Sequence, residues 1–321
     1  MGVLRGLRAR LQSEVLGQEE ALSALCDALL AGEMGHASPG RPRSLLLLLG
    51  PTGTGKTRSI LAASEHLFGT GSVARINAAE FSSDERVPLL LGTPGAAGLL
   101  GERVARMRRS GGRILLLDEI EKASPRVADL LLGIEEAEVM MQDGSALDLS
   151  GLHVVATSNL GGAGVAGLEG VSRASVRRYV EQEAAAHFRP EVFARFTSVI
   201  VFAHLSRDAQ VRVCHRMLGR ELALQSAALS SAFGHPHRLR ADPDVPGLLV
   251  SEGWHRSLGA RPMRNVVERR VRSALVRARL DGALGPGVGE SVLVAAAGGG
   301  LRAAVARAPV VLRGGPGEVA A

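Results

Sequence analysis

Residues 44–57 read SLLLLLGPTGTGKT. After one serine the run Ser44–Leu49 is wholly apolar, the pattern of a parallel strand covered on both faces rather than one with a wet side. Gly50-Pro51-Thr52-Gly53-Thr54-Gly55-Lys56-Thr57 follows at once and fits G-x-x-x-x-G-K-[ST]. Between a strand and a helix, such a loop turns backbone N–H groups inward around phosphate oxygens, and only glycine tolerates the turn. The helix beginning near Lys56 points the favourable end of its dipole at the same place. In this setting Lys56 reaches the β- and γ-phosphates of ATP and Thr57 ligates Mg2+.

The rest of the chain supplies the sheet this loop requires. VARIN (73–77), RILLLDE (113–119), LHVVATSN (152–159) and TSVIVF (197–202) read as four further strands. Helical stretches separate them: 56–67, 99–109, a helix after Ser124-Pro125, and 173–187. Five strands alternating with helices predict a doubly wound α/β layer with a parallel sheet. Ahead of it, residues 3–32 have helical spacing broken around Gly17, and HASPGRPRS (36–44) is a loop. Past Leu205 the pattern changes to helices over 206–232, 244–252 and 261–283. A short strand is possible inside PHRLRADPDVPG (236–247). ESVLVAA (290–296) and GLRAAVA (300–306) predict a hairpin across the glycines at 298–300. The expected domains are a large α/β domain over 1–204, a smaller helical domain over 205–308 and a loose tail over 309–321.

The third strand ends in Asp118-Glu119. Asp118 is placed to hold Mg2+ through water, and Glu119 to polarise an attacking water. Thr157-Ser158-Asn159 closes the fourth strand and sets Asn159 beside a γ-phosphate.

Composition narrows the class. The 321 residues carry net charge +6, almost all of it from arginine, since Lys56 and Lys122 are the only lysines. The pI of about 10.4 invites nucleic acid, but aromatics are only 3%, too few for a base-stacking platform. No run of about 18 apolar residues spans a bilayer, and MGVLRGLRARLQSEV lacks a signal-peptide core. Two distant cysteines fit a reducing cytoplasm.

Taken in order, VLGQEEA (15–21), GPTGTGKT, LLLDEIEKA (115–123), TSNLG (157–161), FRPEVFAR (188–195) and LGARPMRNVVE (258–268) resemble an AAA+ ATPase. The closer likeness is to the C-terminal ATPase module of the Clp/HSP100 protein-unfolding chaperones, of ClpA/ClpB type, from about residue 10 to 306. The resemblance implies a five-stranded AAA+ sheet followed by a helical lid with a short terminal hairpin. It places Val15 and Leu16 beside the adenine, with Gly17 and Gln18 shaping that turn. It makes Asn159 the sensor that positions the hydrolytic water. Arg195 becomes an arginine finger reaching a neighbour's γ-phosphate, and Arg261 the second sensor. A finger acting on a neighbour implies a homohexameric ring that works on protein.

One departure stands out. The family's axial pore loop carries an aromatic flanked by glycines, and the corresponding stretch here is Gly95-Ala96-Ala97-Gly98. No Tyr, Phe or Trp lies between Phe81 and Tyr179. The later loop MQDGSALDLSG (141–151) lacks the basic residue common in the second pore loop. Ala166-Gly167-Leu168 only faintly resembles a peptidase-docking tripeptide. Two functions are therefore expected: ATP-driven remodelling of protein substrates through weaker contacts, or a nucleotide-gated assembly or adaptor ring that serves one dedicated partner without threading. A nucleic-acid motor is a third, weighed against by the missing aromatics.

Overall fold

Ser44–Leu49 forms β1, and all six of its residues are buried. A strand can be apolar throughout only where neighbours cover both edges and helices cover both faces. The computed structural model, which describes residues 2–35, 40–134, 136–165, 172–255, 258–285, 289–296 and 300–305, supplies that setting. The other strands of the first compact unit are β2 (Val73–Asn77), β3 (Ile114–Asp118), β4 (Glu138–Met140), β5 (Ala146–Asp148), β6 (His153–Thr157) and β7 (Ser198–Val201). Four of them join β1 in one parallel sheet in the order β2-β3-β6-β1-β7.

Its helices are α1 (Gly2–Glu14), α2 (Glu19–Glu33), α3 (Lys56–Phe68), α4 (Val87–Leu91), α5 (Leu99–Arg109), α6 (Pro125–Ile134), α7 (Gly162–Val165), α8 (Arg173–His187) and α9 (Pro190–Phe193). The alternation of side chains along β1 divides the core in two. Leu45, Leu47 and Leu49 pack with Leu100, Val104, Leu131 and Val180 on one face. Leu46 and Leu48 pack with Leu7, Leu11, Leu25 and Ile60 on the other. Each such leucine contributes about 1.5–3 kcal/mol by leaving water.

The turn between α1 and α2 is built by specific contacts. Gly17 has φ +76°, and a Cβ there would lie 2.6 Å from that of Ala209. The buried Gln18 side chain pairs with both backbone groups of Ala203, donating from Nε2 to its carbonyl and accepting its N–H at Oε1. Reading 141–151 as a loop misses β5, which pairs antiparallel with β4. Strands of three residues carry too little alternation to be recognised.

The first unit takes in residues up to Gln210 and also His255–Arg261; the second takes in Val211–Trp254 and the chain from Pro262. The division falls inside α10 (Arg207–Phe233), where sequence pattern places one boundary after residue 204. Composition marks where a helical region begins but not that a later loop returns to the sheet domain. The second unit adds β8 (Arg238–Ala241), α11 (Val245–Gly253), α12 (Arg261–Leu280), β9 (Glu290–Ala296) and β10 (Gly300–Val305). The last two form the expected hairpin, and β8 joins β9 in parallel. Along α12, Met263, Val266, Val267, Val271, Ala274, Leu275 and Ala278 are buried at helical spacing. Residues 297–299, Ala166-Gly167-Leu168 and the tail at 309–321 lie outside the described residues.

Candidate active site

In a parallel sheet, neighbouring strands bring their carboxyl ends to one edge, about 4.8 Å apart. Here β3, β6 and β1 are adjacent, so the residues after Leu49, Leu117 and Thr157 meet there. The loop after β1 is glycine by necessity. Gly50, Gly53 and Gly55 have φ of +125°, +75° and +107°, a region other residues avoid. A Cβ would lie 2.2 Å from Phe202 O at Gly50, 2.8 Å from Ala260 N at Gly53 and 2.5 Å from Val15 Cγ1 at Gly55. The last contact puts Val15 directly against the loop. Leu16, next to it, is half-buried. Thr54 Oγ1 donates to Pro51 O at 2.8 Å and pins the turn, and Thr52 closes against Gly259.

Lys56 is buried at this loop. Its Nζ donates to Gly50 O (2.7 Å), Pro51 O (2.9 Å) and Asn159 Oδ1 (3.0 Å). Burial of the ammonium pushes its pKa down from 10.5 to about 8. Glu121, Asp118 and Glu119 pull it back up, and Arg261 adds to the push downward.

Asp118 is the hub of the carboxyl edge. Its Oδ1 accepts from Thr57 Oγ1 at 2.9 Å and from Thr157 Oγ1. Its Oδ2 accepts from Nε (3.1 Å) and NH2 (2.6 Å) of Arg75 on β2. Glu119 follows with φ +59° and ψ +47°, one of two non-glycine residues at positive φ among those described. Such a conformation costs of order 1–3 kcal/mol and persists only where its surroundings enforce it. Here the Glu119 N–H donates to Thr157 Oγ1, and its Oε2 accepts from Lys122 Nζ at 2.6 Å. Both lysines of the chain therefore lie at this edge.

The structure brings Gly50 to Thr57, Asp118, Glu119 and Asn159 together, with Val15 beside them. Arg261 is exposed at the first turn of α12, one residue from Ala260, which touches the loop at Gly53. Arg195 is exposed just after α9. Sequence reasoning missed Arg75, Thr157 and Glu121. Arg75 shares a strand face with Asn77, the partner of Asp118 in register, so alternation could have found it. Nothing in spacing shows that Glu121 turns back to Asn159.

The arrangement fits a nucleotide with a divalent metal. The loop is a cradle that any Cβ would fill, and Thr57 Oγ1 beside the Asp118 carboxylate is a hard-oxygen donor pair of the kind Mg2+ takes.

The stretch at 92–98 is a closed turn. Thr93 and Ala96 exchange backbone hydrogen bonds, each 2.9 Å, around Pro94 and Gly95, the latter at φ +86°. Pro followed by a positive-φ Gly makes a type II turn. At its base, a Cβ on Gly98 would lie 2.3 Å from Gly92 N. Residues 93–97 are all exposed. Gln142 N donates to Leu91 O at 2.9 Å, which ties the β4–β5 hairpin to this base.

Comparison with known proteins agrees with this geometry. The family model for the AAA domain (Cdc48 subfamily) matches residues 41–199, and that for the C-terminal, D2-small domain of ClpB protein matches 211–294. The chaperone protein ClpB of Pseudomonas putida is 34% identical over 285 residues, covering 86% of this chain and 32% of that protein. The chloroplastic chaperone protein ClpD2 of Oryza sativa subsp. japonica is 31% identical over 309 residues, 89% of this chain and 32% of its own. An ATP-dependent Clp protease ATP-binding subunit ClpL of Staphylococcus aureus is 28% identical over 289 residues, 87% and 38%. The chain spans about a third of the length of the curated relatives it matches.

Proposed function

Because the chain belongs to the AAA+ ATPases and has the build of the C-terminal ATPase module of the Clp/HSP100 chaperones, we propose that it binds and hydrolyses ATP and spends the energy on remodelling protein. The observation that carries this is the convergence of Lys56, Thr57, Asp118, Glu119 and Asn159 on one sheet edge, behind a loop that only glycine can form.

The roles follow from chemistry. Residues 50–57 hold the phosphates, with the ammonium of Lys56 turned from carbonyl oxygens to phosphate oxygens. Val15 and Leu16 border the base. Thr57 and Asp118 hold Mg2+, which when bound neutralises phosphate charge. Glu119, released from Lys122, takes a proton from the attacking water. Asn159 orients that water. Arg261 senses the nucleotide from the first turn of α12, and Arg195 supplies charge to the site of an adjoining copy. A homohexameric ring is part of this reading, since an arginine finger works on a neighbouring copy and Arg195 is exposed. Among the described residues no helix is long and apolar enough to cross a membrane. We place the protein in the cytoplasm, supported by two cysteines that form no disulfide.

The turn at 93–97 supports a second reading. A methyl at Ala96 offers a small fraction of the roughly 150–250 Å² of an aromatic ring, a loss of a few kcal/mol at most per contact at about 25 cal/mol per Å². A ring of such loops would hold polypeptide weakly, so ATP could instead gate assembly with one dedicated protein partner. Steady-state ATP turnover with and without a permanently unfolded protein separates the two. Stimulation supports remodelling; turnover indifferent to it supports the dedicated partner; no turnover at all sinks both.

A further inference from the structure

Two groups of opposite character close on the side chain of Asn159. Lys56 Nζ donates to its Oδ1 at 3.0 Å. Glu121 Oε1 accepts from its backbone N–H at 3.2 Å and from its Nδ2 at 3.1 Å. An ammonium can only donate and an ionised carboxylate can only accept. The amide therefore has one orientation open to it, oxygen toward the phosphate loop and NH2 toward Glu121. Reversed, it would set donor against donor and acceptor against acceptor.

Glu121 is poorly served by this arrangement. Its second oxygen, Oε2, is buried and has no hydrogen-bond partner. A half-satisfied buried carboxylate is worse for stability than an apolar side chain of the same size, so packing does not account for it. Its backbone is also fixed: it sits in the 3-10 turn Ile120–Lys122, which starts from the left-handed Glu119. One turn thus carries both Glu119, proposed above to act on the attacking water, and the glutamate that holds the asparagine.

We infer that Glu121 is a positioning residue for ATP hydrolysis, acting through Asn159 by fixing which end of that amide faces the attacking water. It does not itself touch nucleotide. The inference rests on the proposed role of Asn159, and the test is built to separate the two.

The chain has three asparagines, Asn77, Asn159 and Asn265. Asparagine-selective nitrogen-15 labelling therefore gives three side-chain NH2 signals, and Asn159→Ala identifies one of them. In nucleotide-free protein, Glu121→Ala should move the Asn159 signal and leave the other two in place. With ATP it should lower kcat about tenfold, the usual scale for a residue supporting a reacting one, while KM stays within about twofold. The double variant with Asn159→Ala should be no slower than Asn159→Ala alone, because both remove one arrangement. Should Glu121→Ala not fold, Glu121→Gln keeps its shape yet can present either end of its amide; it should move the same signal with a smaller loss of kcat. An unmoved Asn159 signal, or losses that multiply in the double variant, would overturn the role of Glu121. If Asn159→Ala is slow and Glu121→Ala is not, only Glu121 is misassigned. If Asn159→Ala turns ATP over like the parent, the reading of the site falls and takes this role with it.

Discussion

Lys56 shows how burial sets chemistry at a single side chain. The desolvated ammonium titrates near 8, while in an unfolded chain it would titrate near 10.5. Between those values the unfolded chain holds a proton that the folded one has lost, so this group's contribution to stability rises with pH across that window. Nucleotide binding runs the other way. Phosphate needs the ammonium, so binding above pH 8 must first recover a proton. Affinity for a fluorescent ADP analogue should be flat below about pH 7.5 and then fall, approaching tenfold per unit above 8; an affinity level to pH 9.5 would mean Lys56 does not meet the phosphate. Glu119 makes a second case: Glu119→Gln should bind ATP as the parent does and lose at least about a hundredfold in turnover, measured by nucleotide titration and phosphate release on the same preparation. The residues that sequence reveals here are those whose spacing is set by the backbone, namely the glycines, Lys56, Thr57 and the carboxylates at a strand end. Glu121, Arg75 and Thr157 escape because their roles depend on side chains crossing between strands, which no local pattern records.

Among the elements, the parallel strands were readable because burial on both faces leaves an unbroken apolar run, as in Ser44–Leu49. The three-residue strands β4 and β5 leave no such trace. The turn at 93–97 could be read for what it lacks but not for its closure, which comes from the Thr93–Ala96 pair and the contact of Gly98 with Gly92. Two substitutions probe it. Gly98→Val would force its Cβ onto Gly92 N and Leu90 O and should cost about 2 kcal/mol or more, seen as a lowered Tm. Ala96→Tyr, at an exposed position, should leave stability within about 0.5 kcal/mol of the parent. It should also raise the stimulation of ATP turnover by an unfolded protein several-fold. An Ala96→Tyr variant as indifferent to unfolded protein as the parent would mean that this turn is not where polypeptide is met.

For the molecule as a whole, the decisive feature is the proposed service of the exposed Arg195 to a neighbouring copy's site. A site that takes charge from a neighbour, and an exposed arginine that gives it, are complementary halves of a head-to-tail contact. Lys56→Ala removes the phosphate ligand and keeps the finger; Arg195→Ala does the reverse. Each alone should turn ATP over at a few per cent of the parent or less, the order of loss expected for a removed finger. The most direct test of the account is therefore ATP turnover in mixtures of these two variants. In an equal mixture that exchanges subunits freely, about a quarter of the interfaces pair an intact site with an intact finger. Turnover should recover toward about a quarter of the parent value and peak near equal amounts. Turnover that stays at the level of the separate variants at every ratio would contradict hydrolysis shared between neighbouring copies.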